Sequence, residues 1–274
     1  THISKIVEAA SAGAADDLSD NSNVGVGYQA LQSNTSGAFN TALGHDALQN
    51  SLTGNSNVAI GASAMNSNTT GYQNTSIGVS SLGSNTTGRD NVASGHSALF
   101  SNTFGVNNNA MGRASLTGNT GGSNNQGIGA YSLGSNTLGN GNIGIGASAG
   151  FSNVSGDFNT FLGFNAGYFE TGNNKLYIEN TDADADNALI YGEFDNDILR
   201  TNGELQIGNP TGTGYAFPTI DGTATYVLQT DGAGQLSFVD PALIAGTDDQ
   251  TIDTLGLSGD SLGISLEDDG QPVQ

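Results

Sequence analysis

An all-β fold organised as a parallel β-roll solenoid is what this sequence predicts, and three observations carry the expectation. One 17-residue unit is written nine times without a slip: asparagine opens each copy (Asn23, Asn40, Asn57, Asn74, Asn91, Asn108, Asn125, Asn142, Asn159), and glycine follows four residues later (Gly27, Gly44, Gly61, Gly78, Gly95, Gly112, Gly129, Gly146, Gly163). The composition, with 42 glycines, 11% charged residues and no tryptophan in 274 residues, is not that of an ordinary globular domain. Apolar residues also recur in columns, one coil apart. A strict period of this kind marks a solenoid, because so short a unit cannot bury its own apolar face and is stable only when stacked on its neighbours.

In chain order, residues 1–20 come first. Ile3, Ile6, Val7 and Ala10 have helical spacing and predict a short helical cap or connector over the open end of the first coil. The repeat domain is expected over 21–172. Within each unit, positions 2 to 4 read as a strand, as in Val58-Ala59-Ile60, ended by the glycine at position 5. Position 4 is apolar in eight of nine copies (Val26, Leu43, Ile60, Ile77, Met111, Ile128, Ile145, Leu162, with Ser94 the exception) and is expected to be the core column. A second apolar column at position 9 (Leu31, Leu48, Met65, Leu82, Leu99, Leu116, Leu133, ending in Gly150 and Gly167) predicts a second strand per coil facing the same interior.

Positions 3 and 8 are small in nearly every coil. If position 4 points inward, position 3 points outward, and its smallness predicts close packing against another copy of the chain. The second half of the unit reads as turn, as in Ser-Asn-Thr-Thr-Gly at 67–71 and 84–88, where Asn can stack in ladders with the next coil.

After Gly167 the period stops. Strands are expected at 175–179 and 188–194 around an acidic turn, and at 197–199 and 204–207 around Thr201-Asn202-Gly203, making a hairpin segment over 173–210. A linker and a hairpin across Asp231-Gly232 fill 211–247, and short polar-apolar strands in 248–274 read as a stalk that continues in a longer parent protein.

Five basic residues against 26 acidic ones give a net charge of −21, which removes nucleic acid and anionic membranes as partners. No apolar run is long enough to insert in a bilayer. Without cysteine there are neither disulfides nor thiolate metal sites.

The strings Asn57-Val-Ala-Ile-Gly61, Asn40-Thr-Ala-Leu-Gly44 and Asn159-Thr-Phe-Leu-Gly163 resemble the head repeats of trimeric autotransporter adhesins. Segments such as Asn174-Lys-Leu-Tyr-Ile-Glu-Asn180, Leu189-Ile-Tyr-Gly192 and Val227-Leu-Gln-Thr-Asp-Gly232 are similar to repeat-rich fibres that carry an endosialidase-type chaperone domain, in phage tail fibres and Bacteroidetes surface proteins. The resemblance implies a left-handed roll, a homotrimer with intertwined β segments, association with other fibre or particle components, and an extracellular place on a virion, injection particle or cell surface. The 17-residue period is longer than that of the typical adhesin head, and the sequence contains neither an autotransporter anchor nor the chaperone domain.

Candidate chemistry is sparse. Gly127-Ile-Gly-Ala-Tyr-Ser lacks the third glycine and the βαβ setting of a dinucleotide fingerprint. His45 and His96 share position 6 but stand three coils apart, about 14 Å, too far to share a metal. Asp182, Asp184, Asp186 and Glu193 imitate calcium-loop spacing, but Asn187 replaces the glycine, so a solvated acidic turn is the simpler reading. No nucleophile, base or paired-carboxylate arrangement stands out, and an enzyme is not expected. Tyr28, Phe39, Tyr72, Phe104 and Tyr131 are candidate surface contacts for glycans or receptors, without a cofactor. The expected role is a structural and adhesive fibre segment with multivalent surfaces. Two alternatives are an ice-binding solenoid built on the Thr35, Thr69, Thr86, Thr103, Thr120, Thr137 column, and a calcium-stabilised spacer.

Overall fold

The computed structural model describes residues 22–202 and, further on, six short strands between 206 and 266. The helical cap expected over 1–20 lies outside the described residues. No helix is present among the described ones.

One strand per coil forms a parallel ladder: β1 (Val24–Val26), β2 (Thr41–Leu43), β3 (Val58–Ile60), β4 (Thr75–Ile77), β5 (Val92–Ser94), β6 (Asn109–Met111), β7 (Gln126–Ile128), β8 (Ile143–Ile145) and β9 (Thr160–Leu162). Every residue pairs with its equivalent 17 positions on, as in Ala42 with Ala59. The solenoid of nine coils is therefore as expected. The second strand per coil is not present; positions 6 to 11 run as turns. Leu48, Met65, Leu82, Leu99, Leu116 and Leu133 supply the second apolar column from left-handed backbone, with φ between 48° and 51°. Such a conformation is costly for leucine, and it persists here because burial of the side chain and a hydrogen bond from each amide to the next coil fix it.

The structure reverses the expected faces of the strand. Position 3, expected to point outward, is the inner one: Ala42, Ala59, Ser76, Ala93 and Ala110 are fully buried. Position 4, expected to be the core, points outward, with Leu43, Ile77, Met111, Ile145 and Leu162 between 39% and 46% exposed. Volume explains the reversal. Most coils already place a leucine-sized side chain at position 9 and bury asparagines at positions 1 and 12, so only Ala, Ser or Gly fits opposite them there.

These asparagines make the interior polar as well as apolar. In coil after coil the position-1 amide nitrogen donates to the position-15 glycine carbonyl, as from Asn57 Nδ2 to Gly71 O at 2.9 Å, and the position-12 amide donates to the same carbonyl, from Asn68 Nδ2 at 3.0 Å. The position-1 oxygen meanwhile accepts from the backbone N–H of the next coil's asparagine, as Asn40 Oδ1 does from Asn57 N at 3.0 Å. A second ladder joins Asn68, Asn85, Asn102, Asn119 and Asn136 in column 12. Buried polar groups of this kind are tolerable because they are paired with one another.

The position-5 glycines have φ between 122° and 147°, and a Cβ there would strike the carbonyl of the equivalent glycine one coil on, or for Gly163 that of Glu179. Sterics thus account for their invariance along the chain.

At the foot of the roll the grammar shifts without ending. β10 (Lys175–Ile178) pairs parallel with β9, so a further rung follows the nine coils, and Tyr177 takes the inward position of Phe161. The last two position-9 residues are Gly150 and Gly167, and a Cβ on either would collide with the Phe161 ring. A large inward side chain at position 3 has exchanged places with the large one at position 9. β11 (Ile190–Glu193) and β12 (Ile198–Thr201) then continue the sheet antiparallel. β12 pairs with β11, and residues 204–205 of the strand expected at 204–207 lie outside the described residues.

The second unit, Gly203–Gln274, contains β13 (Gln206–Ile207) with β14 (Tyr215–Ala216), β15 (Val227–Thr230) with β16 (Leu236–Val239), and β17 (Ile252–Ser258) with β18 (Ser261–Leu266), each pair antiparallel. β15 and β16 pair on either side of the expected Asp231-Gly232 turn, with Thr230 opposite Leu236; the five connecting residues lie outside the described ones.

Candidate interaction surfaces

Because side chains alternate along a strand, the inward placement of position 3 forces positions 2 and 4 outward together. Stacked over β1 to β9 they form a face about 38 Å long at the interstrand spacing. Val24, Val58, Val92 and Ile143 from position 2 join the position-4 column, and Val79 and Phe164 from position 6 extend it; Val24 and Phe164 are more than half exposed. Single exposed apolar residues are ordinary on proteins; here they recur from coil to coil, interrupted by Ser94 at position 4 and by Thr41, Thr75, Asn109, Gln126 and Thr160 at position 2.

The five aromatic candidates do not converge on one site. Each of four engages a side chain or glycine in an adjacent coil. Tyr28 packs its ring on His45 at 5.2 Å, and Tyr72 lies under the Arg89 guanidinium at 5.8 Å. Tyr131 faces Arg113 at 5.0 Å from its centroid and accepts a hydrogen bond from it. Phe104 covers Gly121. Phe39 is 62% exposed with left-handed backbone, φ 60°. Seating a ring over the neighbouring coil's glycine recurs with Phe100 on Gly83, Phe151 on Gly134 and Phe158 on Gly141. Most of these rings act as intercoil braces. An aromatic and a glycine 17 apart in the sequence are the signal from which this pairing can be read.

The histidines act locally. His45 Nδ1 lies 2.8 Å from Asp46 Oδ2, and His96 Nδ1 is 3.0 Å from the Ser97 hydroxyl. The glycine string Gly127-Ile-Gly-Ala-Tyr-Ser enters a turn from β7. Every threonine of the proposed ice-binding column donates its hydroxyl to the carbonyl one coil further, as from Thr86 Oγ1 to Thr103 O at 2.9 Å. Those hydroxyl protons are therefore not available to order water.

Asp184, Asp186 and Glu193 serve the hairpin. Asp184 Oδ1 accepts from Asp186 N and from Asn187 Nδ2, Asp186 pairs with Arg200 at 3.4 Å, and Glu193 accepts from the Tyr191 hydroxyl at 2.6 Å and from Asn196. Among the described residues no group of three or more His, Asp or Glu side chains could hold a metal ion. Hydrogen bonds from Tyr191, Asn196 and Lys175 hold the Glu193 carboxyl down at about 2. Backbone N–H groups of Leu189 and Asn180 hold Glu179 below its ordinary value, tying both ends of the acidic loop to one carboxylate. Burial and the neighbouring Glu170 push the Tyr177 phenol up, so it stays a donor.

No family model matches the chain, and neither a curated protein nor a solved structure matches it. No helix of the described residues is long and apolar enough to cross a membrane.

Proposed function

We propose that the chain is a non-enzymatic segment of an extracellular homotrimeric fibre, of a tail-fibre or surface-adhesin kind. It presents three copies of one surface for multivalent attachment to a host cell or substrate. The observation that carries this reading is the outward apolar face of β1 to β9. A row of half-exposed Leu, Ile, Met and Val along nine coils is poorly placed against water and well placed against the same row of a second copy. In this reading the left-handed roll supplies a rigid rod, the small residues fill its interior rather than the seam between subunits, and the hairpins of the second unit interweave with those of the partners. Attachment strength comes from repetition of weak contacts rather than from a deep pocket.

Light scattering on the purified chain tests the assembly, with a trimer expected. A monomer at micromolar concentration overturns it. The ice-binding alternative loses support because its threonine hydroxyls are engaged between coils, and the calcium spacer because Asp184, Asp186 and Glu193 are turned to the hairpin's own donors.

A further inference from the structure

Below the last coil, where β10 leaves the roll, the chain encloses a half-open cavity of about 240 Å³. Phe169, Glu170, Tyr177 and Asp184 line it, with Ala183 and Ala185 on the remaining wall. Its two carboxylates are fixed by neutral donors. Glu170 Oε1 accepts from the backbone N–H of Thr171 at 2.9 Å and Gly172 at 2.7 Å, and Oε2 accepts from the Tyr177 hydroxyl at 2.7 Å. Asp184 Oδ1 accepts from Asp186 N at 3.2 Å and Asn187 Nδ2 at 2.6 Å. Hydrogen bonds from neutral groups orient these charges without cancelling them.

No Lys, Arg or His lines the cavity. The cations nearest in the sheet already have partners: Lys175 pairs with Glu193 at 3.3 Å, and Arg200, whose guanidinium lies over the Tyr191 ring, pairs with Asp186 and donates to the Ala185 carbonyl behind the cavity wall, so neither is paired with Glu170 or Asp184. The aromatic lining is held equally firmly. Phe169 stands edge-on to Tyr168 at 4.8 Å, Tyr168 stacks on Phe151 at 5.1 Å, and Tyr177 is edge-on to Tyr191 at 5.2 Å. The Tyr177 phenol, which donates to Glu170, presents no second proton inward.

Uncompensated carboxylates, π faces and methyl groups in a half-enclosed space disfavour anions and leave a neutral ligand's acceptors unpaired. They suit a positive charge wearing an apolar skirt. We propose that this cavity binds a small aliphatic ammonium group, primary or quaternary. The proposal does not depend on the oligomeric state, since all the lining residues belong to one chain.

Titration of the purified chain with tetramethylammonium chloride and with n-butylammonium chloride, followed by NMR against sodium chloride at equal ionic strength, tests it. Saturable shifts confined to Phe169, Tyr177, Ala183 and Ala185 are expected. Asp184→Asn and Phe169→Leu should each weaken binding roughly five- to tenfold. Amide spectra of the coils, unchanged in both variants, show that the fold is kept. Neopentyl alcohol, which has the shape without the charge, should bind far more weakly. The proposal is overturned by the absence of saturable shifts with both cations, by equal binding of the alcohol, or by affinities that neither variant changes.

Discussion

Phe161 and Gly150 show how narrowly each coil's volume is set. In most coils a leucine-sized residue at position 9 faces a small residue at position 3, whereas at the foot Phe161 lies where a Cβ of Gly150 or Gly167 would be. Phe161→Ala is expected to cost about 3–5 kcal/mol through the cavity it leaves. Gly150→Leu should destabilise by overpacking, although its φ of 61° is close to that of the column's leucines. Combined, the two changes should be far less harmful than their sum, a non-additivity that denaturant unfolding of the four proteins would measure. Ser51 tells a similar story in the polar ladder. Its hydroxyl and the Asn34 and Asn136 side-chain oxygens are buried without partners, and Ser51 falls where the asparagine column is interrupted. Ser51→Asn should therefore extend the ladder and stabilise the roll by about 1–2 kcal/mol. An unchanged or lower unfolding midpoint would speak against the ladder as a source of stability.

At the scale of elements, the strand and the hairpin respond to different variables. On a strand, Ala59→Asp places an unpaired charge in the core and should abolish folding, while Ile60→Asp, one residue on, changes a side chain on the outward face. Circular dichroism should report a lost β signal for the first and a retained one for the second. In the β10–β12 hairpin, Glu193 is a carboxyl with a depressed folded value. Its contribution is fully present above the unfolded value of 4.5 and is lost as pH falls through about 2. Protection factors of the Tyr191 and Glu193 amides, corrected for intrinsic exchange, should fall in that window, and Glu193→Gln should flatten the dependence. An identical acid response in the variant would assign it to other groups.

For the whole molecule the outward apolar face governs association. Ile77→Asp together with Met111→Asp puts two charges into the row without touching the interior. If that face joins the copies, the double variant should run as a folded monomer in light scattering while the unmodified chain runs as a trimer. A trimer that survives both charges would move the seam to another side of the rod. High salt offers a second reading at this scale. With 26 acidic residues against five basic ones, assembly is expected to tighten as ionic strength rises and screens the repulsion between copies.

Much of this molecule is written in its period. The asparagine and glycine columns alone determine that there are nine coils, where each begins and where the glycine ends the strand. That is possible because stacking in register requires identical backbone geometry at every equivalent position, so the constraint repeats with the chain. The face of each strand is another matter. Strict alternation is symmetric, and Ala42-Leu43 reads equally well with either side chain inward. Only closure of the coil breaks the tie, since Leu48, Asn40 and the position-12 column fill the interior first and leave room for an alanine opposite. The same closure decided the left-handed leucines, the Phe161 exchange and the extra rung at Tyr177. These depend on the volume left by residues distant in the coil, a quantity that the order of residues does not display.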